Sequence, residues 1–553
     1  MTRRQPWRRL PLALAAATAC CGASALEIDT GHPEWSVRFD NTVKLSTLYR
    51  TRSANPHLVD TTRELVPGVA ASAFPQAANF NAGDDNFRSR GWVSKRIDLL
   101  SEFDAVYRQD FGFRLSAAGW YDQAYDGSTH AADTHNGQTP YNEFPAQTQS
   151  VAGHKTEVLD AFVFGSWSVA PGQKLSVRLG QHALQYGESL FFGENGIARA
   201  QGPIDIFKLL GSPNAQFKEI VMPVPQVSAQ LQLSAKVSLG AYYQFRWAAD
   251  RLPPAGSYFS TSNNVWGGSL YPEIVEDNLL FAGGDRKPKD SGQFGAQLRW
   301  RLEDTDLGFY YAQYHDKSGQ LYGRLNPAVT LPNGFHPGEW YFLFPTNVRM
   351  AGASASHSIG DFNIAGEASL RDNMPLRSTN MLYAGLQPRP ATGRTAHANL
   401  STLATLGPSW IANESTLLAE LAWNRLLSAD DPDHVLDAGR SRDASALQFV
   451  YSPTYRQAAP GLDLSVPIGL RYTVDGHSSV TAWDAKGSGS FNIGLSGNYL
   501  GVWQFTMTYT RFIGAADPFV SYQPLLQNRA PMYGHGNPLA DRDFVALALR
   551  RSF

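Results

Sequence analysis

An alternation with a period of two runs through the chain. In WSVRFDNTVKLSTLY, Trp35, Val37, Phe39, Val43, Leu45 and Tyr49 share one side, while Ser36, Arg38, Asp40, Thr42, Lys44 and Ser46 share the other. Successive side chains of a strand point to opposite faces, so the pattern predicts a strand between an oily medium and a wet one. It is also much longer than the five or six residues at which soluble strands usually stop.

The same dyad recurs in pairs, joined by connections that are alternately short and long. RIDLLSEFDAVY and FRLSAAGWY flank a tight turn near Gln109, and a long stretch then leads to DAFVFGSW, the turn APGQ and LSVRLGQHAL. VSAQLQL with VSLGAYYQFRW, FGAQLRWRL with LGFYYAQY, TAHANLSTLATL with TLLAELAW, and SFNIGLSGNYL with WQFTMTYTRF continue the series. It ends on a lone strand, FVALALRRSF. Counting to within about two gives eighteen strands, which places both chain ends on the side of the short turns. In hydrocarbon every backbone N–H and C=O must pair, and a sheet meets that demand only by joining its first strand to its last. The expected fold is therefore all-β: a transmembrane antiparallel barrel in which residues 35–49 pair with residues 543–553, with short periplasmic turns and long extracellular loops.

Composition agrees with this reading. The mean hydropathy of -0.29 looks soluble, but alternating strands average their two faces, so the value does not oppose a barrel. After residue 25 no run of 18 apolar residues occurs, which excludes helical spans. At the N-terminus, Arg3, Arg4, Arg8 and Arg9 precede the short apolar run LPLALAAATACC and the small residues Ala23 to Ala25. A cleaved signal peptide over residues 1–25 is expected, leaving one barrel domain over 26–553. Both cysteines, Cys20 and Cys21, fall in the leader, so no disulfide or cysteine metal site is expected. The chain carries a net charge of -2, made more negative by loss of the leader arginines, and nothing suggests nucleic acid.

A barrel of this size encloses a water-filled lumen unless something fills it. The inferred inward faces carry Arg38, Lys44, Arg96, Asp98, Glu102, Asp104, Arg114, Arg178, His182, Arg246, Arg299, Arg301, Glu367, His397, Arg371 and Arg471. These either pair across strands and stabilise the wall, or set a field that screens solutes. Mixed sign argues against a simple anion or cation filter. The long connection from about residue 185 to 223 contains GPIDIFKLLG, where Pro203 near a start, Asp205, the apolar Ile204, Ile206, Leu209 and Leu210, and Gly211 as a stop predict a short helix. Its apolar side needs cover, either as a constriction inside the lumen or as a lid outside it. Asp84 and Asp85 in an earlier loop form a weak cation motif, with hydration the simpler reading. No GxSxG, Walker, HExxH, SxxK or CxxC pattern occurs, so no catalytic residue, cofactor or metal is assigned.

Two blocks carry a resemblance. NFRSRGWVSKRIDLLSEFDAVYRQDFGFRLSAAGWYDQAY, together with VRLGQHALQYGESLFF and the following GPIDIFKLLGSPNAQFKEIVMPVPQVSAQLQLS, is similar to a proteobacterial family known only as domain of unknown function 1302. Tyr186 stands where members commonly have Trp. The resemblance implies an outer-membrane barrel, with a periplasmic lipoprotein-carrier-like protein and an inner-membrane exporter of hydrophobic compounds as partners. It brings no catalytic residues. The terminal Phe553, after the co-facial Val545, Leu547 and Leu549, resembles the signal read by the barrel-assembly machinery; Arg551 departs from it, since an apolar residue is usual there. The expected surroundings are outer-membrane lipid and lipopolysaccharide. The sequence thus favours an outer-membrane channel for hydrophobic or amphipathic small molecules. A lipid-acting enzyme and a structural or adhesive barrel remain the alternatives.

Overall fold

The computed structural model describes residues 26–59, 81–129, 142–212, 217–266, 268, 273–275, 278–332, 334, 336–379, 381–521 and 532–553. The expected leader, residues 1–25, lies outside them.

The alternating segments become eighteen antiparallel staves in strict chain order. They are β1 (Trp35–Arg50), β2 (Gly91–Tyr107), β3 (Phe111–Asp122), β4 (His154–Ala170), β5 (Gln173–His182) and β6 (Val224–Gln232). Then come β7 (Val237–Gln244), β8 (Gln293–Leu302), β9 (Thr305–Tyr314), β10 (Val348–Ile359), β11 (Phe362–Pro375) and β12 (Thr392–Leu406). The last are β13 (Glu414–Asp430), β14 (Asp443–Ala459), β15 (Leu462–Ser465 and Ile468–Asp475), β16 (Gly489–Tyr499), β17 (Trp503–Ile513) and β18 (Phe544–Ser552). β15 is split at Pro467, which has no N–H to give the ladder. The ring closes between β18 and β1, in register from Thr42 opposite Ser552 to Arg50 opposite Phe544. One pairing further, Asn41 N donates to Phe553 O (2.8 Å) and Phe553 N to Asn41 O (2.9 Å).

β18 is shorter than β1. Beyond its end, Leu26–Ile28 pairs antiparallel with Val37–Phe39, so the same chain covers the length of β1 that the closing stave does not reach.

Short turns gather at the rim that holds both ends of the barrel. At two of them consecutive residues take positive φ, Arg108 and Gln109 (49° and 62°) and Leu500 and Gly501 (55° and 71°), the backbone twist that suits tight hairpins. Long connections gather at the other rim. There Gln320–Leu325 and His336–Leu343 form part of a separate five-stranded sheet.

Outward positions are apolar and exposed, among them Leu45, Leu99, Leu115, Val163, Leu179, Leu400, Leu421 and Leu547. Aromatic pairs mark both ends of this band: Trp35 against Tyr107 (5.1 Å) near the turns and Tyr49 against Trp92 (5.2 Å) near the loops, as in the aromatic girdles of membrane barrels. Arg551 has a physical place in this scheme. It faces outward at the turn rim with its guanidinium over the Trp503 ring at 4.9 Å, an interfacial position where a long basic side chain snorkels rather than meeting hydrocarbon.

Asp84 is committed to ion pairing between the first and last long loops. Arg542 Nε lies 2.8 Å and Arg50 Nη1 3.7 Å from its carboxylate, while Arg50 Nη2 reaches Asp541 at 3.0 Å. All four side chains are buried, and both guanidiniums stack on Tyr258. Asp85 pairs with Arg88.

Candidate functional site: a loop held inside the barrel

The connection between β5 and β6 turns back into the barrel, and its backbone is gripped by side chains on the inward face of β11 to β13. Glu367 of β11 accepts from the N–H of Glu188 (2.6 Å) and of Ile197 (3.0 Å). Glu420 of β13 accepts from Leu190 N (3.1 Å), Phe191 N (2.5 Å), Phe192 N (2.9 Å) and Ser189 Oγ (2.8 Å). Arg371 supplies the complement, donating to the carbonyls of Glu194, Asn195 and Gly196 (3.2, 2.6 and 2.8 Å). Buried backbone groups outside a ladder need such partners, and here charged side chains of the wall provide them.

Asn195 is the hub of this grip. Its amide donates to Asn399 Oδ1 (2.7 Å) and Trp423 O (3.0 Å), and its Oδ1 bonds Asn424 Nδ2 (3.1 Å) and His397 Nδ1 (2.9 Å). Two glycines let the carboxylate approach: a Cβ at Gly187 or Gly196 would run into Glu367. Tyr186 fills an aromatic slot between Tyr242 (5.6 Å) and Tyr310 (6.2 Å).

Further contacts fix the loop to its neighbours. Arg299 of β8 reaches Glu188 (3.0 Å), Arg471 of β15 reaches Glu194 (3.4 Å), and Trp483 Nε1 donates to the same carboxylate (3.0 Å). Arg199, buried, is shared by Asp250 (2.9 Å) and Asp316 (3.0 Å). Burial opposes the charge on Asp250, but the adjacent Arg199 outweighs it and holds the carboxyl below its ordinary value.

The inward charges of β1 to β3 are arranged differently. Arg38 pairs with Asp40 (2.6 Å) and Asp104 (3.8 Å), Lys44 with Asp98 (3.6 Å), Arg96 with Asp98 (2.6 Å), and Arg114 with Glu102 and with Asp104 (3.5 Å). These side chains keep 20 to 57% of their surface exposed, against 6% for Glu367 and 1% for Glu420. One side of the wall is thus occupied by the loop and the other is left wet.

The remaining residues singled out in the sequence are placed as follows. Arg178 lies over the Phe162 ring (5.7 Å). His182 is buried in the wall with its ring nitrogens bonded to Gly180 O (3.1 Å) and Ser228 Oγ (2.9 Å). Arg301 pairs with Asp306 (2.9 Å), and Arg246 is exposed just past the end of β7. The helix α1 spans Ile206–Gly211, with Asp205 as its N-cap accepting from Lys208 N (2.9 Å). Pro203 is buried and its carbonyl accepts from Met222 N (2.8 Å). Ile204, Ile206, Leu209 and Leu210 line a cavity of about 270 Å³, with Arg199, Asp250, Asp316, Arg377, Arg471 and Asp484 among its polar walls. In the sequence Glu367, Arg371 and His397 stand out only as wall residues, and Glu420, Asn399 and Asn424 do not stand out among the inward positions. Glu420 carries one signal even so: it is the one charge in the apolar TLLAELAW.

A family model described as a protein of unknown function (DUF1302) matches residues 7–553. The chain belongs to the DUF1302 family. Among curated proteins none matches this DUF1302 member. Solved structures similar to it include OccAB3 of Acinetobacter baumannii, at 10% identity and a TM-score of 0.40 over 94% of this chain and 99% of that one. OmpF of Salmonella typhi in complex with daunomycin and the outer membrane channel DcaP of A. baumannii each give 8% identity and a TM-score of 0.37, over 96% of this chain and 100% of theirs. Identities and scores so low carry no substrate and no residue role across to the DUF1302 chain.

Proposed function

We propose that this protein is an outer-membrane channel for small hydrophobic or amphipathic molecules. Its aqueous path runs along the charged wall of β1 to β3 and past the loop held against β11 to β13. The observation that carries the reading is the division of the inward surface: paired but partly exposed charges on one side, and on the other a loop fixed by Glu367, Arg371 and Glu420. Charges that stay hydrated inside a closed wall mark a water-filled lumen, and mixed sign suits passage of neutral or amphipathic solutes better than a filter for one ion type. The outward apolar band and its aromatic rims support residence in the outer membrane, reached by export, leader cleavage after Ala25 and insertion by the barrel-assembly machinery among lipopolysaccharide. A periplasmic lipoprotein-carrier-like protein and an inner-membrane exporter are its proposed partners.

Planar-bilayer recordings test the channel. The purified barrel should give discrete conductance steps, and removal of residues 200–215 should enlarge them; an unchanged step would remove that segment's part in narrowing the path. For the solutes, a deletion strain grown with steroids, fatty acids and aromatics should lose accumulation or efflux of one class. Unaltered handling of all of them would count against transport of hydrophobic compounds.

A further inference from the structure

Most charge on the wall of the cavity beside α1 is committed. Arg199 is held by Asp250 and Asp316, and Arg471 by Glu194. Arg377, in the connection after β11, is not. Its backbone is fixed, with its N–H donating to Ser479 O (2.8 Å) and its carbonyl accepting from Asp437 N (3.0 Å). Among the described residues, however, no hydrogen-bond or ion-pair partner meets its guanidinium, which lines the cavity. A guanidinium presents a planar fork of five donors and no acceptor, and this one, partly exposed, keeps its donors open to a ligand entering the cavity. Burial, with Arg440 nearby, pushes it down to about 10, which leaves it charged at neutral pH.

Asp484 on this wall likewise has no hydrogen-bond or ion-pair partner among the described residues. Burial pushes its carboxyl up from its ordinary value, against the pull of Arg471 and Arg440. Apolar side chains share this wall, Ile204, Ile206, Leu209 and Leu210 with Phe512 and Leu539. At about 270 Å³ the space approaches the lower end of small-molecule pockets, roughly 300 Å³.

An occupant that satisfies both halves has one anionic head and an apolar body, and a carboxylate matches the guanidinium fork through two parallel hydrogen bonds. We infer that the cavity binds a small amphiphilic carboxylate, its head on Arg377 and its body against Ile206, Leu209 and Leu210. The inference rests on the channel reading above and narrows its solute class.

The test uses the full barrel in lipid nanodiscs, titrated by calorimetry with 4-phenylbutyrate, 4-phenylbutanol and 4-phenylbutylammonium, with empty discs as blank. The acid should bind at least tenfold more tightly than the alcohol or the ammonium. Arg377→Gln should weaken the acid about tenfold or more, in line with the loss of a charge-assisted hydrogen bond, and leave the alcohol unchanged. Arg377→Lys, which keeps the charge without the fork, should fall between. Leu209→Ser should weaken acid and alcohol together. Equal affinities for the three probes, no binding of the acid at millimolar concentration, or an Arg377→Gln barrel that binds the acid like the wild type would each overturn the inference. The three-probe comparison on wild-type protein stands even if a variant fails to fold. Bilayer recordings on the same preparation separate the two readings: conductance without acid binding refutes this inference alone, and acid binding without conductance refutes the channel alone.

Discussion

Replacing Glu420 by Gln tests the held loop most directly. Glu420 Oε2 takes three backbone N–H groups, from Leu190, Phe191 and Phe192, and Oε1 takes Ser189 Oγ and the Asn399 amide (2.7 Å). A hydrogen bond to a charged group contributes about 1.5–3 kcal/mol and a neutral one about 0.5–1.5, so neutralising the acceptor weakens the three backbone bonds by about 1 kcal/mol each. The substituted amide also points a donor at one of the existing donors. A total near 3 kcal/mol shifts the balance between held and released loop about a hundredfold. The barrel itself should survive, because its ladder hydrogen bonds do not involve this carboxylate. The assay is single-channel recording in planar bilayers, with the heat-induced shift in gel mobility confirming a folded barrel. More frequent or larger openings are expected for Glu420→Gln. Glu102→Gln, on the wet side of the wall, should change ion selectivity without adding openings. A folded Glu420→Gln barrel with wild-type conductance and open fraction would refute the idea that this carboxylate holds the loop in the path.

Three further outcomes follow from the same contacts. Asp84→Asn removes the carboxylate shared by Arg50 and Arg542, and breaking a buried pair this way should destabilise the loop assembly by roughly 3–5 kcal/mol, read as faster proteolysis of the first and last loops while the ring stays intact. Lys317 is buried, its ammonium over the Tyr314 ring at 5.0 Å but with no hydrogen-bond partner among the described residues, and burial, helped by Arg199, pushes its amine from 10.5 down to about 7; the penalty is full below pH 7 and gone above 10.5, so Lys317→Met should raise thermal stability at pH 7, by on the order of a few kcal/mol, and not at pH 10.5. Asp250, held below its ordinary 3.8 by Arg199 against the effect of burial, contributes stability above that value that is lost as pH falls through its lowered one; channel openings should increase in recordings below about pH 3.8, and an unchanged trace there would argue that the Arg199 pairs do not restrain the loop.

The fold was open to reading because a period of two is a local property. Trp35 to Tyr49 declares its two faces without reference to any other residue, and the closing pair β1 and β18 follows from the rule against unpaired backbone in hydrocarbon. Short and long connections then set the order. The grip on the loop was less legible, since its bonds join residues 179 positions apart, as between Glu188 and Glu367, or 228 apart, as between Phe192 and Glu420. An inward position on a strand states that a side chain meets the lumen, not which segment it will hold. The apolar GPIDIFKLLG announced a helix, and α1 forms there. The turn that the wall grips, residues 186–197, has only its glycines to signal it. Arg377 and Asp484 sit in connections with no periodicity, where nothing in the sequence separates an arginine awaiting an occupant from one lying in water.

The three residues Leu26–Ile28 act as a selvedge. Where the closing stave falls short, they occupy the bare hydrogen-bonding margin of β1. A chain trimmed back past them would present that margin at the turn rim as a template for a foreign strand. Intact, the stretch from Val37 to Phe39 is already taken.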